Sequence, residues 1–176
     1  MPHNHHKLES AYAILPIAFA DNNKQPFFKE CPESTLICGG KDVFDRDYYM
    51  QHEAYHAWLK MQQSALQEGI NLMVVSAFRS YLYQANIILN KLNKGLLLED
   101  ILKVSALPGF SEHHTGCALD FTADEEGEVL TESFEQTKAF KWLSLHAHEF
   151  QFTLSYPRDD VYGFIYEPWH WCYKTS

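Results

Sequence analysis

Two stretches of this sequence concentrate side chains that bind metals and move protons. Ser111-Glu112-His113-His114-Thr115-Gly116-Cys117-Ala118-Leu119-Asp120 places two histidines and a carboxylate around a glycine, and Glu167-Pro168-Trp169-His170 adds another acid and another imidazole. Zinc accepts imidazole nitrogen and carboxylate oxygen, and a catalytic zinc takes three protein ligands and leaves one position for water. Gly116 lets the chain fold back, so that His113 and Asp120 could point to one centre. His170 could complete the set from a neighbouring strand. Pro168 interrupts any regular ladder between Glu167 and His170, so the intervening residues can arch. Glu167 could then sit beside the metal's water and not on the metal, which is where a general base is needed. From the residues alone, His114 competes with its neighbour His113, since either could ligate. Among the ten histidines, His52, His56, His146 and His148 fall on expected helices and read as surface or satisfied core residues. His3, His5 and His6 read as a flexible terminus, with adventitious metal binding as the alternative.

The elements that must position these residues are readable from periodicity. Apolar residues from Phe44 to about Gly69 recur at helical spacing, with Tyr48, Tyr55, Trp58, Leu59, Ala65 and Leu66 on one face and Met61 off register. Asn71 to Ser76 reads as a short buried strand. Ser80 to Asn93 returns to helical spacing through Tyr83, Ile87, Ile88 and Leu92, and Leu98 to Val104 forms a further helical turn. Cys117 to Thr122 reads as a strand and Asp124 to Gly127 as a turn. Glu132 to Phe150 reads as one helix, with Phe134, Ala139, Phe140, Leu143, Ala147 and Phe150 near one face. Phe152 to Tyr156 and Phe164 to Tyr173 read as strands around a turn at Pro157–Asp160. Connections this short favour antiparallel pairing. The expected fold is α+β: a small, mainly antiparallel central sheet flanked by helices, with the metal cleft over the sheet.

Composition limits the function classes. The 176 residues are 46% hydrophobic and 15% aromatic, enough for a core that needs neither disulfides nor a structural metal. A formal net charge of -9, with no basic stripe, argues against nucleic-acid binding. No apolar run is long enough for a membrane span. The apolar segment Ala11–Ala20 has a weak signal-peptide look, but Pro16 interrupts it and Lys7 is its one fixed positive charge, so a core segment is the expectation. Export is thus without a convincing signal as encoded, although a cell-wall site of action is compatible with the chemistry below. Cys31, Cys38, Cys117 and Cys172 contain no C-x-x-C pair. Cys31 and Cys38 could close a short disulfide loop, but four free, mostly buried thiols are expected.

Ser111-x-His113-x-x-Gly116-x-Ala118-x-Asp120, followed by Glu167-Pro168-Trp169-His170, resembles the paired signature of the VanY-type D-alanyl-D-alanine carboxypeptidase family. The wider clan includes D,D-dipeptidases and some phage endolysin peptidases. Ser76-x-x-Arg79-Ser80-Tyr81-x-x-Gln84 resembles that family's upstream motif. Trp142-Leu143 through Ala147, and Ser155-Tyr156-Pro157, resemble its helix and strand before the final motif. The resemblance runs from about Gly69 to Tyr173. It implies a single zinc peptidase domain over 1–176, with the motif-bearing part over about 69–173 and residues 1–43 packed on it as an extension.

The resemblance also implies roles. His113, Asp120 and His170 would be the zinc ligands and His114 would not. Glu167 would be the catalytic base, and Arg79 would stabilise the oxyanion or the substrate carboxylate. Ser111 and Gln84 would contact substrate, and Trp169 would pack against the site. The implied substrate is a peptidoglycan stem peptide or another D-Ala-D-Ala-containing peptide, cut near its C-terminus. Endopeptidase action, free D,D-dipeptidase action and a catalytically silent peptidoglycan-binding module are the alternatives. Plainer roles exist for single residues: a surface ion pair for Arg79, loop support for Ser111, solvation for Gln84 and core packing for Trp169. Ala77 and Phe78 replace a common Gly-Tyr. Cys172 stands where many relatives carry an arginine, which bears on how the substrate's terminal carboxylate is held.

Overall fold

The computed structural model describes residues 2–18, 25–124, 129–159 and 164–174. Its centre is a four-stranded antiparallel sheet made of β3 (Met73–Ser76), β4 (Ala118–Thr122), β5 (Phe152–Leu154) and β6 (His170–Tyr173), in the order β3-β4-β6-β5. A separate antiparallel hairpin pairs β1 (Leu36–Lys41) with β2 (Asp47–Gln51). Five α-helices are described: α1 (Pro2–Tyr12), α2 (His52–Gln67), α3 (Tyr81–Asn93), α4 (Leu98–Val104) and α5 (Lys138–His146). This is the expected mixture of helices around an antiparallel sheet.

Strand alternation separates the sheet's two faces. Leu119, Phe121 and Trp171 point to one face, where Trp58, Met61, Phe134, Leu143 and Phe152 bury them in the main core. Trp58 and Phe121 meet with ring centroids 5.0 Å apart. Asp120 and His170 point to the opposite face. A second core forms where Leu8, Ala11, Tyr12 and Leu15 pack against Tyr81, Ala85 and Ile88 of α3 and Ile101 of α4. The described part of the Ala11–Ala20 segment is therefore a core element, and the helix from Pro2 replaces the flexible start expected around His3, His5 and His6. Glu30 ties the N-terminal region to α3: its carboxylate accepts from Lys7 Nζ at 2.6 Å and from the Tyr81 backbone N–H at 2.6 Å.

Several expected boundaries move, each for a local reason. The helix expected from Phe44 begins at His52, because Asp47–Gln51 pairs with β1 and buries Tyr48 and Met50 in strand alternation. Gln51 then caps α2, accepting from the Glu53 and Ala54 N–H groups. The buried face of α2 is Ala54, Trp58, Met61 and Ala65, so Met61 is in register, whereas Leu59 and Leu66 are exposed. The single helix expected over Glu132–Phe150 is broken into a 3-10 turn, α5 and a second 3-10 turn, with Thr137 capping α5. The last strand begins at His170 and not at Phe164, since residues 164–167 are irregular. Most of the turn expected at Asp124–Gly127, and Asp160 of the later one, lie outside the described residues. All four thiols are free, but only Cys172 is buried and Cys38 is exposed.

Gly116 is the hinge the sequence suggests. It adopts φ +72°, and its carbonyl accepts from the Gln51 N–H at 2.9 Å. A Cβ there would lie 2.9 Å from the Gln51 nitrogen and 3.2 Å from Cys31 Sγ. Gly116→Ala should therefore lower stability by about 1–3 kcal/mol, read as a lower urea midpoint. An unchanged midpoint would show that the turn tolerates a side chain.

Candidate metal centre and its cleft

Sheet register assembles the candidate site. Asp120 is the direct cross-strand partner of His170 on β6 and of Ser76 on β3. Directly paired residues in a sheet project from the same face, so pairing alone brings the Asp120 carboxylate to the His170 ring. His113 arrives from the short 3-10 turn Glu112–Thr115 just before β4, capped by Ser111. Potential ligand atoms of His113, Asp120 and His170 all lie within 4.8 Å of one another, and all three residues are buried. Two imidazoles and one carboxylate form a donor set suited to a divalent ion of the zinc type.

Each imidazole is oriented by the hydrogen bond of its other nitrogen. His113 Nδ1 donates to the Ala77 carbonyl at 2.6 Å, which leaves Nε2 facing Asp120 Oδ2 at 3.2 Å. His170 Nε2 donates to Glu112 Oε2 at 3.0 Å, which directs Nδ1 to Asp120 Oδ1 at 3.0 Å. His114 faces elsewhere. Its Nδ1 donates to the Arg79 carbonyl at 2.7 Å, its Nε2 accepts from the Gly109 N–H at 3.1 Å, and its ring packs on Tyr81. Both of its nitrogens are thus occupied by backbone, and the pair left open by residue type is separated by geometry.

Glu167 and His170 bracket a turn, with the His170 N–H donating to the Glu167 carbonyl at 3.1 Å across Pro168 and Trp169. The Glu167 carboxylate lies 4.0 Å from His170 Nδ1. Arg79 follows β3. It donates to Asp120 Oδ2 at 2.5 Å through Nη2 and to Ser76 Oγ at 2.9 Å through Nε. A surface ion pair is therefore not its role. Gln84 is buried and not solvated: Nε2 donates to the Ala106 carbonyl at 2.7 Å, and Oε1 has no partner among the described residues. Ser111, Gln84, Arg79, Glu167 and Trp169 all line, with the three candidate ligands, one cleft of about 510 Å³.

Residue types alone did not reveal a support behind His170. Glu112 is buried and accepts from Lys174 Nζ at 2.6 Å as well as from His170. Its signal lay in its place between Ser111 and His113. Lys174 is four residues after His170, and so on the same side of the strand line. Cys172 lies between them on that side, buried and absent from the cleft lining. Cys172 thus borders Glu112 and not the cleft, and Lys174 supplies a cation one pleat further on. Tyr156 was likewise missed; it lines the cleft with its ring 4.7 Å from that of His170.

The electrostatics follow from burial and these partners. Burial opposes charge on His170, but hydrogen bonds to Asp120 and Glu112 outweigh it and push its pKa up to about 10. Burial, aided by Arg79, pulls His113 down to about 4. Burial would raise Asp120, but His113 and Arg79 hold it well below the usual carboxylate range. Burial pushes Glu167 up to about 7, with His170 opposing and Asp120 assisting. A carboxyl poised near neutrality can both take and return a proton.

A family model described as VanY, D-alanyl-D-alanine carboxypeptidase, matches residues 47–176, extending the likeness upstream of Gly69 through β2 and α2. The Bacillus subtilis protein YodJ is 37% identical over 125 residues, covering 69% of this chain and 45% of that protein. A D-alanyl-D-alanine carboxypeptidase of Enterococcus faecium is 28% identical over 161 residues, covering 85% of this chain and 48% of the relative. The chain thus spans about half the length of these two relatives. A bifunctional D-Ala-D-Ala dipeptidase and carboxypeptidase of Enterococcus gallinarum is 30% identical, covering 73% of this chain and 69% of its own length. Among solved structures, the LdcB LD-carboxypeptidase superposes with a TM-score of 0.71 at 33% identity, over 81% of this chain and 69% of that one. A VanY D,D-pentapeptidase in complex with Zn(II) gives 0.62 at 22% identity, over 85% of each, a likeness of fold.

Two predictions follow from the charge arrangement. A divalent ion must displace the proton held on His170, so binding at pH 7 should release about one proton and tighten about tenfold per pH unit. Calorimetry in buffers of different ionisation heat reads this, and a heat independent of buffer would refute it. In metal-free protein the raised Glu167 pKa favours the fold fully below about pH 4.5, and that contribution is lost as pH rises through about 7. Glu167→Gln should therefore stabilise the metal-free protein at pH 8, by up to about 3 kcal/mol, and much less at pH 5. Equal urea midpoints for variant and wild type at pH 8 would refute this.

Proposed function

The chain belongs to the VanY D-alanyl-D-alanine carboxypeptidase family, and from this premise we propose that it is a zinc-dependent peptidase that hydrolyses a peptide bond near the C-terminus of peptidoglycan stem peptides. The observation that carries the reading is the convergence of His113, Asp120 and His170 within 4.8 Å at a cleft that also holds Glu167. In this reading His113 binds the ion through Nε2, His170 through Nδ1 and Asp120 through its carboxylate. Zinc, when bound, would polarise the scissile carbonyl and acidify the attacking water.

The protein's own groups handle the protons and the charge. Glu167 takes a proton from the attacking water as the water oxygen bonds to the carbonyl carbon. It returns that proton to the leaving amine as the C–N bond breaks, so the group ends in its starting state. Arg79 places a fixed cation beside the reacting centre to offset the developing oxyanion, and it orients Asp120 at the same time. Gln84 Oε1 offers a buried acceptor for a substrate N–H. Ser111 and Trp169 shape the cleft wall. The carboxylate of Glu112 behind His170 raises the basicity of that ligand and fixes its tautomer.

A second reading concerns the bond that is cut. The LdcB likeness, at 33% identity, favours an L,D-carboxypeptidase as the alternative to a D,D-enzyme. Both remove a C-terminal residue, and they differ in the configuration of the residue before the scissile bond. Mass spectrometry of products from stem peptides and from free D-Ala-D-Ala distinguishes them, and also separates endopeptidase and dipeptidase action. A silent binding module would yield no product from any of these with zinc added.

Glu167→Gln removes the base but leaves all three ligands. It should reduce kcat by at least about a hundredfold while the purified protein retains about one zinc, read by peptide hydrolysis and metal analysis together. A variant with wild-type turnover would reject Glu167 as the base.

A further inference from the structure

A peptidase that trims C-termini must recognise a free carboxylate, and in the reading above Arg79 is given to the oxyanion. Its Nη2 is bound to Asp120 and its Nε to Ser76. Cys172, late in the last strand, lies outside the cleft lining. The cleft is lined by two further cations, Arg46 and Lys91, and Arg46 is already held by Asp42, the Val75 carbonyl and Tyr83. Lys91 stands on α3 seven residues after Gln84, two turns along, and Gln84, Ile87 and Lys91 form one lining face.

The surroundings of Lys91 suit an incoming anion. Its ammonium group donates to Ser105 Oγ at 2.7 Å, and it forms no ion pair with a carboxylate among the described residues. The side chain is half-buried, and burial together with the Arg79 charge pulls its pKa below the usual lysine value. Lysine has three donors, so two remain after the serine contact. The segment Ser105–Ala106 is pinned to α3 twice, through Lys91 on Ser105 and Gln84 on the Ala106 carbonyl. The ammonium is thus a fixed charge on a rigid wall. It lines the same cleft as Arg79, Glu167 and the three candidate ligands. The terminal carboxylate of a carboxypeptidase substrate lies one residue beyond the scissile carbonyl, about 3.8 Å along the chain.

We propose that Lys91 binds the free terminal carboxylate of the peptide substrate, and that this contact makes the site an exopeptidase site and not an endopeptidase one. The inference rests on the zinc peptidase reading above. It assigns Lys91 as a specificity-determining residue, with Arg79 left to the oxyanion.

The test compares two stem peptides that differ only at the C-terminus, one a free acid and one an amide, with wild type, Lys91→Met and Lys91→Arg. Wild type should prefer the acid by about ten- to a hundredfold in kcat/KM, as expected for a charge-assisted hydrogen bond. Lys91→Met should bring that ratio towards one by raising KM for the acid, with kcat changing much less, and Lys91→Arg should restore part of the preference. A ratio unchanged in Lys91→Met, or a loss seen only in kcat and equally for both peptides, would overturn the assignment. Hydrolysis of neither peptide by wild type would count against the proposed function instead. Calorimetric titration of the zinc-loaded protein with the acid peptide then decides on Lys91: a Kd at least tenfold weaker in Lys91→Met supports it, and equal values overturn it.

Discussion

The carboxylate of Asp120, buried in the middle of the sheet, is the constraint around which the rest of the site is arranged. A charge removed from water is tolerated only when fully paired. Here Arg79, His113 and His170 all contact it. Those contacts require β3, the turn before β4 and β6 to meet at one point, so the local electrostatic demand and the strand order are two descriptions of one arrangement. The pattern continues outward. His170 needs Glu112 behind it, and Glu112 needs Lys174. The polar site is a chain of satisfied pairs on one face of a sheet whose other face is hydrocarbon.

Glu167 stands apart from that chain of pairs. It lies near His170, but the nearest approach is 4.0 Å and its carboxyl prefers its proton. The contrast with Asp120 is one of environment. Both residues are carboxylates within one cleft; the one locked among cations stays ionised, and the other is left close to neutrality. Two acids with displaced pKa values can divide the work of holding an ion and of moving a proton.

Much of this was legible in the sequence because the candidate ligand positions are tied to local features. Gly116 marks the turn before β4, Pro168 marks the arch before His170, and periodicity located the short strands. The choice between His113 and His114 was not legible from residue type, because it depends on which carbonyls each Nδ1 finds. The start of α2 was misread because Tyr48 satisfies both a helical and an alternating pattern, and pairing with β1 decides between them. Met61 looked out of phase because Leu59 and Leu66, which are exposed, were counted on the apolar face. Glu112, Lys174 and Lys91 were passed over because their meaning lies in a register or a facing helix. Charged residues on expected turns and helices are ordinarily solvated.

The strand order β3-β4-β6-β5 places the last described strand inside the sheet and not at its edge. It is the one partner of β5 among the described strands, and it sets His170 opposite Asp120. The turn that carries Glu167 leads directly into it. One short strand therefore joins the sheet's two parts and completes the polar cluster, so a change that loosens its pairing reaches the sheet and the candidate site together.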